Sequence, residues 1–298
     1  MVQTSFTLNN GQKIPAVGLG TWQSAPGEVE HAVEYAIKEA GYRHIDGAFC
    51  YANEGEVGQG VKASGVPRSE IFLTSKLWCT YHSKVEEGLR ETLNELGTDY
   101  LDLFLIHWPV AMNPNGNDKR FPTKPDGSRD VDLSRKIEDT WKDMEKLVEK
   151  GLVKSIGISN FNIANTQRIL DVATIKPVVN QFELHPWSNE LKLKEFCEKN
   201  GILLQAYSPL GSTDSPILKD PEIIKLAEKY NTSVGTLLIS FQVNRGVIVL
   251  PKSVTPARIA SNIKLIDIAP EDVRLLESNE EKGKHWKCVS PNWGVPIF

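Results

Sequence analysis

The chain is 298 residues long, 40% hydrophobic and 24% charged, with a formal net charge of −4 and a pI near 5.9. Those values are ordinary for a globular protein with a sizeable core, and the interspersed charges leave no basic stripe for nucleic acid or an anionic membrane. No stretch approaches the ~18 apolar residues that span a bilayer, and the opening MVQTSFTLNN lacks the basic and apolar regions of a secretory signal, so a cytoplasmic chain is expected.

In chain order, TLNNGQKIP first sets Asn10-Gly11 between short extended pieces, a hairpin signal placed at the bottom of the fold. A short strand at 17–19 comes next, then a helix whose Val29, Ala32, Val33, Ala36 and Ala40 recur at helical spacing. Five times a helical pattern then runs into a glycine and an apolar run: Gly41 before YRHIDGA, Gly97 before TDYLDLFLIH, Gly151 before LVKSIGIS, Gly201 before ILLQAYS and Gly246 before VIVLPKS. A glycine just past a helix end, feeding a buried strand, is the repeated unit. Strands at 71–75 and 178–182 bring the count to eight. The stripes Val85, Leu89, Leu93, Leu96 and Ile137, Trp141, Met144, Val148 mark helices between them, with Trp141 in the core.

Segment 109–133 is polar, rich in Gly, Pro, Asn and Asp, and long for a loop; such loops carry function, so it is placed over the site. Asn231-Thr232-Ser233 reads as a polar turn and helix cap. After Pro270 come one more helix and a tail with Trp286 and Trp293, a second covering segment. The expected fold is α/β, a single (β/α)₈ TIM barrel over 1–298 with an N-terminal β-hairpin and long loops over its C-terminal face, acting as a monomer.

Polar residues stand at seven consecutive strand ends: Asp46, Lys76, His107, Ser159 and Asn160, Gln181, Tyr207 and Ser208, Lys252 and Ser253. In a barrel these converge on one face, where such folds keep their active sites. A lone lysine or histidine there is more often capped or on the surface; seven such strand ends reverse that expectation. Among them Asp46, Tyr51, Lys76 and His107 form a proton-handling group. A tyrosine near pKa ~10 is a poor proton carrier at neutral pH, and lowering it by about three units takes roughly 4 kcal/mol. One ammonium at about 4 Å supplies that order of energy at an effective dielectric near 20. Lys76 is the candidate, Asp46 its positioner, and His107 the group that orients a carbonyl. The four cysteines, Cys50, Cys79, Cys197 and Cys288, are scattered without a C-x-x-C pair, so reduced structural thiols and no metal are expected.

KIPAVGLGTW, DGAFCYANE, TSKLW, LFLIHWP, GISNF, QFELHP, AYSPLGS and LPKSVTPARIASN, in this order, resemble segments of the aldo-keto reductase superfamily across essentially the whole chain. The resemblance implies Asp46, Tyr51, Lys76 and His107 as the catalytic tetrad and a small carbonyl or alcohol as substrate. It implies cofactor contacts at Thr21, Asp46, Ser159, Asn160, Gln181, Tyr207, Ser208, Leu210, Ser212, Lys252, Ser253, Arg258 and Asn262, with Tyr207 stacking on a nicotinamide. Two positions depart from the family pattern: Gly47, where threonine or cysteine is common and no chemistry is expected to change, and Ser261, where a glutamate often contacts the adenine. The segment GSTDSPILKDP resembles fungal NADP-dependent glycerol dehydrogenases and glyceraldehyde reductases, which implies small polyols and aldehydes.

Thr255-Pro256 reads as N-cap and first residue of a helix whose start favours an anion, with Lys252, Ser253 and Arg258 around it, so NADPH/NADP⁺ is expected over NADH. Trp22, Trp78 and Trp108 are expected to line an apolar substrate pocket with His107; Phe49, Phe121 and Trp293 are further candidates.

Other functions fit less well. Gly58-Gln59-Gly60-Val61-Lys62-Ala63 matches the loose dinucleotide-binding pattern but comes after acidic NEGEVG instead of a strand. None of the seven tyrosines has a lysine four residues on, and the six histidines are scattered, which disfavours a short-chain dehydrogenase and a metal-dependent hydrolase. The non-enzyme alternative is a silent reductase-like barrel that holds cofactor as a binding or regulatory subunit.

Overall fold

At the end of the helix Val85–Leu96, Gly97 adopts φ 63°, and the N–H groups of Gly97 and Thr98 close on the carbonyls of Asn94 and Leu93. A side chain at positive φ is strained, so this sharp stop falls to glycine. Gly41, Gly151, Gly201 and Gly246 share the left-handed conformation, and each delivers the chain into a strand. These five turns set the rhythm of the fold in the computed structural model, which describes residues 2–297.

β1 (Ser5–Thr7) and β2 (Lys13–Pro15) form the N-terminal antiparallel hairpin, with Phe6 opposite Ile14. Eight parallel strands come after it in sequence order: β3 (Leu19–Gly20), β4 (His44–Asp46), β5 (Phe72–Leu77), β6 (Leu103–Ile106), β7 (Ile156–Ser159), β8 (Val179–Glu183), β9 (Leu203–Tyr207) and β10 (Ile248–Leu250). Parallel bridges Val17 to Val249 and Gly20 to Lys252 join the first strand to the last, closing the (β/α)₈ barrel. The strands are buried almost throughout, as sheets covered by helices must be.

The covering helices are α1 (Glu28–Lys38), α2 (Glu54–Ala63), α3 (Val85–Leu96), α4 (Ile137–Glu149), α5 (Ile163–Val172), α6 (Leu191–Lys199), α7 (Pro221–Lys229), α8 (Val234–Asn244), α9 (Pro256–Asn262) and α10 (Pro270–Glu277). The Gly58-x-Gly60 pair lies inside α2. A Cβ at Gly58 would sit 2.3 Å from the Leu96 carbonyl oxygen and one at Gly60 2.5 Å from that of Glu30, so these glycines let helices approach and cradle no phosphate. Ser233 caps α8 through the Thr236 N–H, as the Asn231–Ser233 turn predicts, and Trp141 is fully buried with its indole N–H on the Ile175 carbonyl.

Segment 109–133 folds back on itself through bridges Met112 to Val131 and Thr123 to Arg129. It is pinned beyond β5, where the Trp78 indole N–H donates to the Arg120 carbonyl at 2.6 Å and the Thr80 hydroxyl to that of Lys119 at 2.9 Å. No described helix is long and apolar enough to cross a membrane.

Candidate active site

Alternation along β5 turns Lys76 into the barrel, where its side chain is fully buried. Its ammonium has three protons and three oxygens to meet: Asp46 Oδ1 at 2.5 Å, the Gly47 carbonyl at 2.7 Å and Tyr51 Oη at 3.5 Å. Asp46 ends β4, and Tyr51 closes the short 3₁₀ turn Phe49–Tyr51 just after it, a turn completed by Ala52 at φ 57°. The second Asp46 oxygen accepts from Gln181 Nε2 at 2.8 Å. His107 comes directly after β6, its N–H on the Leu77 carbonyl and its ring edge-on to Tyr51 at 5.8 Å. Asp46, Tyr51, Lys76 and His107 thus meet at one end of the barrel. Gly47 serves Lys76 through its backbone, and a Cβ there would meet nothing closer than 3.6 Å.

The electrostatics correct one expectation. Lys76 does not bring the Tyr51 phenol below its ordinary range; burial first, then the Asp46 carboxylate, outweigh it and push the phenol well above that range. The ammonium is 3.5 Å from the phenol but 2.5 Å from the carboxylate that offsets its field. Burial also pulls Lys76 down, against Asp46, and holds His107 well below its usual range with Lys76 adding to the effect. Tyr51 therefore carries its proton and His107 is neutral.

The residues assigned to the cofactor cluster at the strand ends. The Thr21 hydroxyl donates to the Asp46 carbonyl at 2.9 Å and the Ser159 hydroxyl to that of Gln181 at 3.0 Å. Asn160, at φ 63°, donates to the His107 carbonyl and accepts from Tyr207 Oη at 2.8 Å. Ser208 and Ser212 are also left-handed, at φ 48° and 62°, with Leu210 between them. Lys252 Nζ reaches across to the Gln23 carbonyl at 2.9 Å, Ser253 and Asn262 are buried, and Arg258 is exposed. Thr255 and Pro256 do begin α9, but the Thr255 hydroxyl caps nothing: it accepts from Arg258 at 2.7 Å. The Ser261 hydroxyl turns back onto the Arg258 carbonyl of its own helix.

Three observations fit a nicotinamide dinucleotide. Strained non-glycine backbone clusters where the strands end, as at ligand clamps. Two cations stand at the start of α9. The buried His107 Nδ1 has no hydrogen-bond partner among the described residues.

The aromatic candidates divide. Trp78 and Trp108 are buried beside His107, with ring centres at 5.1 and 6.3 Å, whereas Trp22 is among the exposed large hydrophobics. Trp293 of the tail packs edge-on against Trp78 at 6.2 Å and Trp108 at 5.3 Å, and Phe121 meets Trp78 at 5.3 Å. Phe49 packs instead on Tyr81 at 5.2 Å, under the Lys119 and Arg120 side chains. Trp286 ties the tail to the Gly211 carbonyl at 3.0 Å.

Two buried networks escape sequence reasoning. One crosses the barrel: the Pro15 carbonyl accepts from His44 Nδ1, His44 Nε2 accepts from Gln205 Nε2, and Gln205 Oε1 accepts from Gln181, which also reaches Asp46. A carbonyl can only accept, so the proton sits on Nδ1 and each amide's orientation is fixed in turn. Burial holds His44 neutral, down to about 4. The other joins Glu54 to Ser75 and Thr92 behind Lys76, where burial raises the carboxyl to about 7. A polar residue within an apolar strand, as in LLQAY, was the available signal for the first.

Residues 16–281 match the model described as the aldo/keto reductase family. The chain is 50% identical over 302 residues to a D-galacturonate reductase of Hypocrea jecorina, covering 99% of this chain and 97% of that one. It is 46% identical over 296 residues to a glycerol 2-dehydrogenase (NADP(+)) of Saccharomyces cerevisiae, covering 97% and 94%. Its structure is similar to that of the aldose reductase from Schistosoma japonicum, with a TM-score of 0.87 at 41% identity over 93% of this chain and 92% of that one.

Proposed function

The chain belongs to the aldo/keto reductase family, and on that premise we propose that it reduces small aldehydes and ketones with NADPH, Tyr51 donating the proton. Family membership makes it an oxidoreductase of aldehydes and alcohols that uses a nicotinamide cofactor. The observation that carries the proton role is a protonated Tyr51 hydroxyl 3.5 Å from a buried ammonium.

When bound, the cofactor supplies a hydride to the carbonyl carbon. Tyr51 gives its proton to the carbonyl oxygen, and Lys76 stabilises the phenolate left behind. Asp46 keeps Lys76 charged and in place. His107, neutral, holds the carbonyl oxygen without competing as an acid, while the buried Trp78 and Trp108 exclude water and Trp22 stands at the exposed edge. Thr21, Ser159, Asn160, Gln181 and Tyr207 would hold the nicotinamide end, and Ser208, Leu210 and Ser212 the length of the dinucleotide. Lys252, Ser253, Arg258 and Asn262 would take its far end. The cations there favour a 2′-phosphate over a bare ribose.

We infer small polyols and aldehydes such as glyceraldehyde as substrates, in a cytoplasmic monomer. The similarity to a D-galacturonate reductase favours acidic sugar aldehydes as a second reading, with Arg120 and Arg129 among the cations of the covering loop. The silent-subunit alternative gains no support, since the relatives are named for reductase and dehydrogenase activities. Consumption of NADPH with glyceraldehyde, D-galacturonate and aromatic aldehydes tests the assignment. Tyr51→Phe should cost about 10²- to 10⁴-fold in turnover; near-normal turnover would remove the tyrosine from the proton step.

A further inference from the structure

Glu183 ends β8 and is fully buried, yet both of its oxygens are spent on the tail. Oε1 accepts from the Cys288 N–H at 2.6 Å and Oε2 from the Val289 N–H at 2.9 Å. His185, also buried, lies 3.1 Å from Oε1 through Nε2. Its other nitrogen, Nδ1, accepts from the Trp187 N–H at 3.3 Å. An N–H needs a lone pair, so the proton is on Nε2 and points at Glu183.

That tautomer decides what the cluster is. The donor atoms of Glu183, His185 and Cys288 all lie within 4.8 Å of one another, a spacing suited to a metal ion. Yet His185 presents an N–H, not a lone pair, to the centre. Two backbone N–H groups and the His185 N–H converging on one carboxylate, with the Cys288 thiol beside them, make a clasp. Burial pushes the Glu183 carboxyl up, but His185 and the two backbone N–H groups outweigh it and hold the group below its usual range.

The described residues after Glu277 form no helix or strand, so discrete ties place them. Trp286 is held through its N–H on the Trp187 carbonyl and its indole on that of Gly211. The clasp comes next, and beyond it Trp293 meets Trp78 and Trp108 beside His107. We propose that Glu183 is a positioning residue for substrate specificity, clasping the Cys288 and Val289 backbone so that Trp293 is set as a wall of the pocket. The inference rests on the reductase function of that pocket. An aromatic aldehyde reaches Trp293 and depends on the clasp; glyceraldehyde needs only Tyr51 and His107.

Glu183→Gln keeps one acceptor oxygen and sets an NH₂ against a second N–H, so the clasp opens. kcat/KM for 4-nitrobenzaldehyde should fall about tenfold through KM, the worth of one such hydrogen bond, while glyceraldehyde changes by less than about twofold. Trypsin should cleave after Lys287 faster in the NADPH-bound enzyme. Val289→Pro, which deletes a donor from the tail side and leaves β8 untouched, must reproduce this pattern even where Glu183→Gln does not fold. On a Trp293→Ala background the clasp variants should add no further loss. Equal losses for both aldehydes, additivity with Trp293→Ala, or unchanged cleavage at Lys287 would overturn the proposal. A wild-type chain that oxidises NADPH with no aldehyde would sink the reductase function instead, and the proteolysis would still judge the clasp.

Discussion

Replacing Lys76 with methionine removes the ammonium beside the Tyr51 hydroxyl while keeping most of the buried volume. Two unit charges 3.5 Å apart interact by about 5 kcal/mol at an effective dielectric near 20. With roughly half a charge developed on the phenol oxygen at the transition state, about 2.4 kcal/mol is lost, which is about fiftyfold in kcat. The same substitution strands Asp46, whose Oδ1 meets the ammonium at 2.5 Å, as an unpaired buried carboxylate. Breaking such a pair costs about 3–5 kcal/mol of stability. Steady-state NADPH oxidation with glyceraldehyde gives kcat, and urea denaturation shows that the measured enzyme is folded. Asp46→Asn should be milder in kcat, because Asp46 itself raises the phenol. A folded Lys76→Met enzyme keeping more than about half of wild-type kcat would refute the role of Lys76.

Glu54, raised to about 7 by burial, binds a proton in the native state that the unfolded chain has released, so its ionisation lowers stability as pH rises from the ordinary carboxylate range to about 7. Glu54→Gln, which still serves Ser75 and Thr92, should gain Tm relative to wild type between pH ~5 and ~8; parallel Tm curves would contradict the buried charge. Gln205→Leu leaves His44 Nε2 and one Gln181 N–H unpaired inside the barrel, an expected loss of about 2–4 kcal/mol in urea denaturation with weaker NADPH binding. An unchanged midpoint would mean the chain of amides is idle. Arg258→Ala should raise the Kd for NADPH about tenfold and leave that for NADH alone; equal effects on both would place Arg258 away from the 2′-phosphate.

The barrel was legible because its punctuation is chemical: a glycine at each of five helix ends and a polar residue at the end of nearly every strand. α2 was less legible, since Gly58 and Gly60 lower its helical signal for the sake of contact with Leu96 and Glu30. α8 buries Leu237, Leu238, Ile239, Phe241 and Val243 on several sides, so it carries no clean stripe. The positions of Asp46, Tyr51, Lys76 and His107 could be argued from strand ends. The sign of the Tyr51 shift could not, because it depends on how deeply the hydroxyl is set and on two distances to opposite charges. The tie from Glu183 to the tail was invisible for a similar reason: its partners there are backbone N–H groups more than a hundred residues away, and backbone donors leave no mark in a sequence.

That reversed sign bears on direction. Had Lys76 drawn the phenol toward neutrality, Tyr51 would serve as acid and base alike. Burial instead keeps its proton on and keeps His107 neutral, which in the proposed mechanism is the form that protonates an incoming carbonyl. Alcohol oxidation must begin from the phenolate, the form that burial and Asp46 oppose. Reduction should therefore hold its kcat from pH ~6 to ~9, below the phenol's raised range, whereas oxidation should climb with pH across the same interval. Matching pH profiles for the two directions would show that Lys76, after all, outweighs burial at the phenol oxygen.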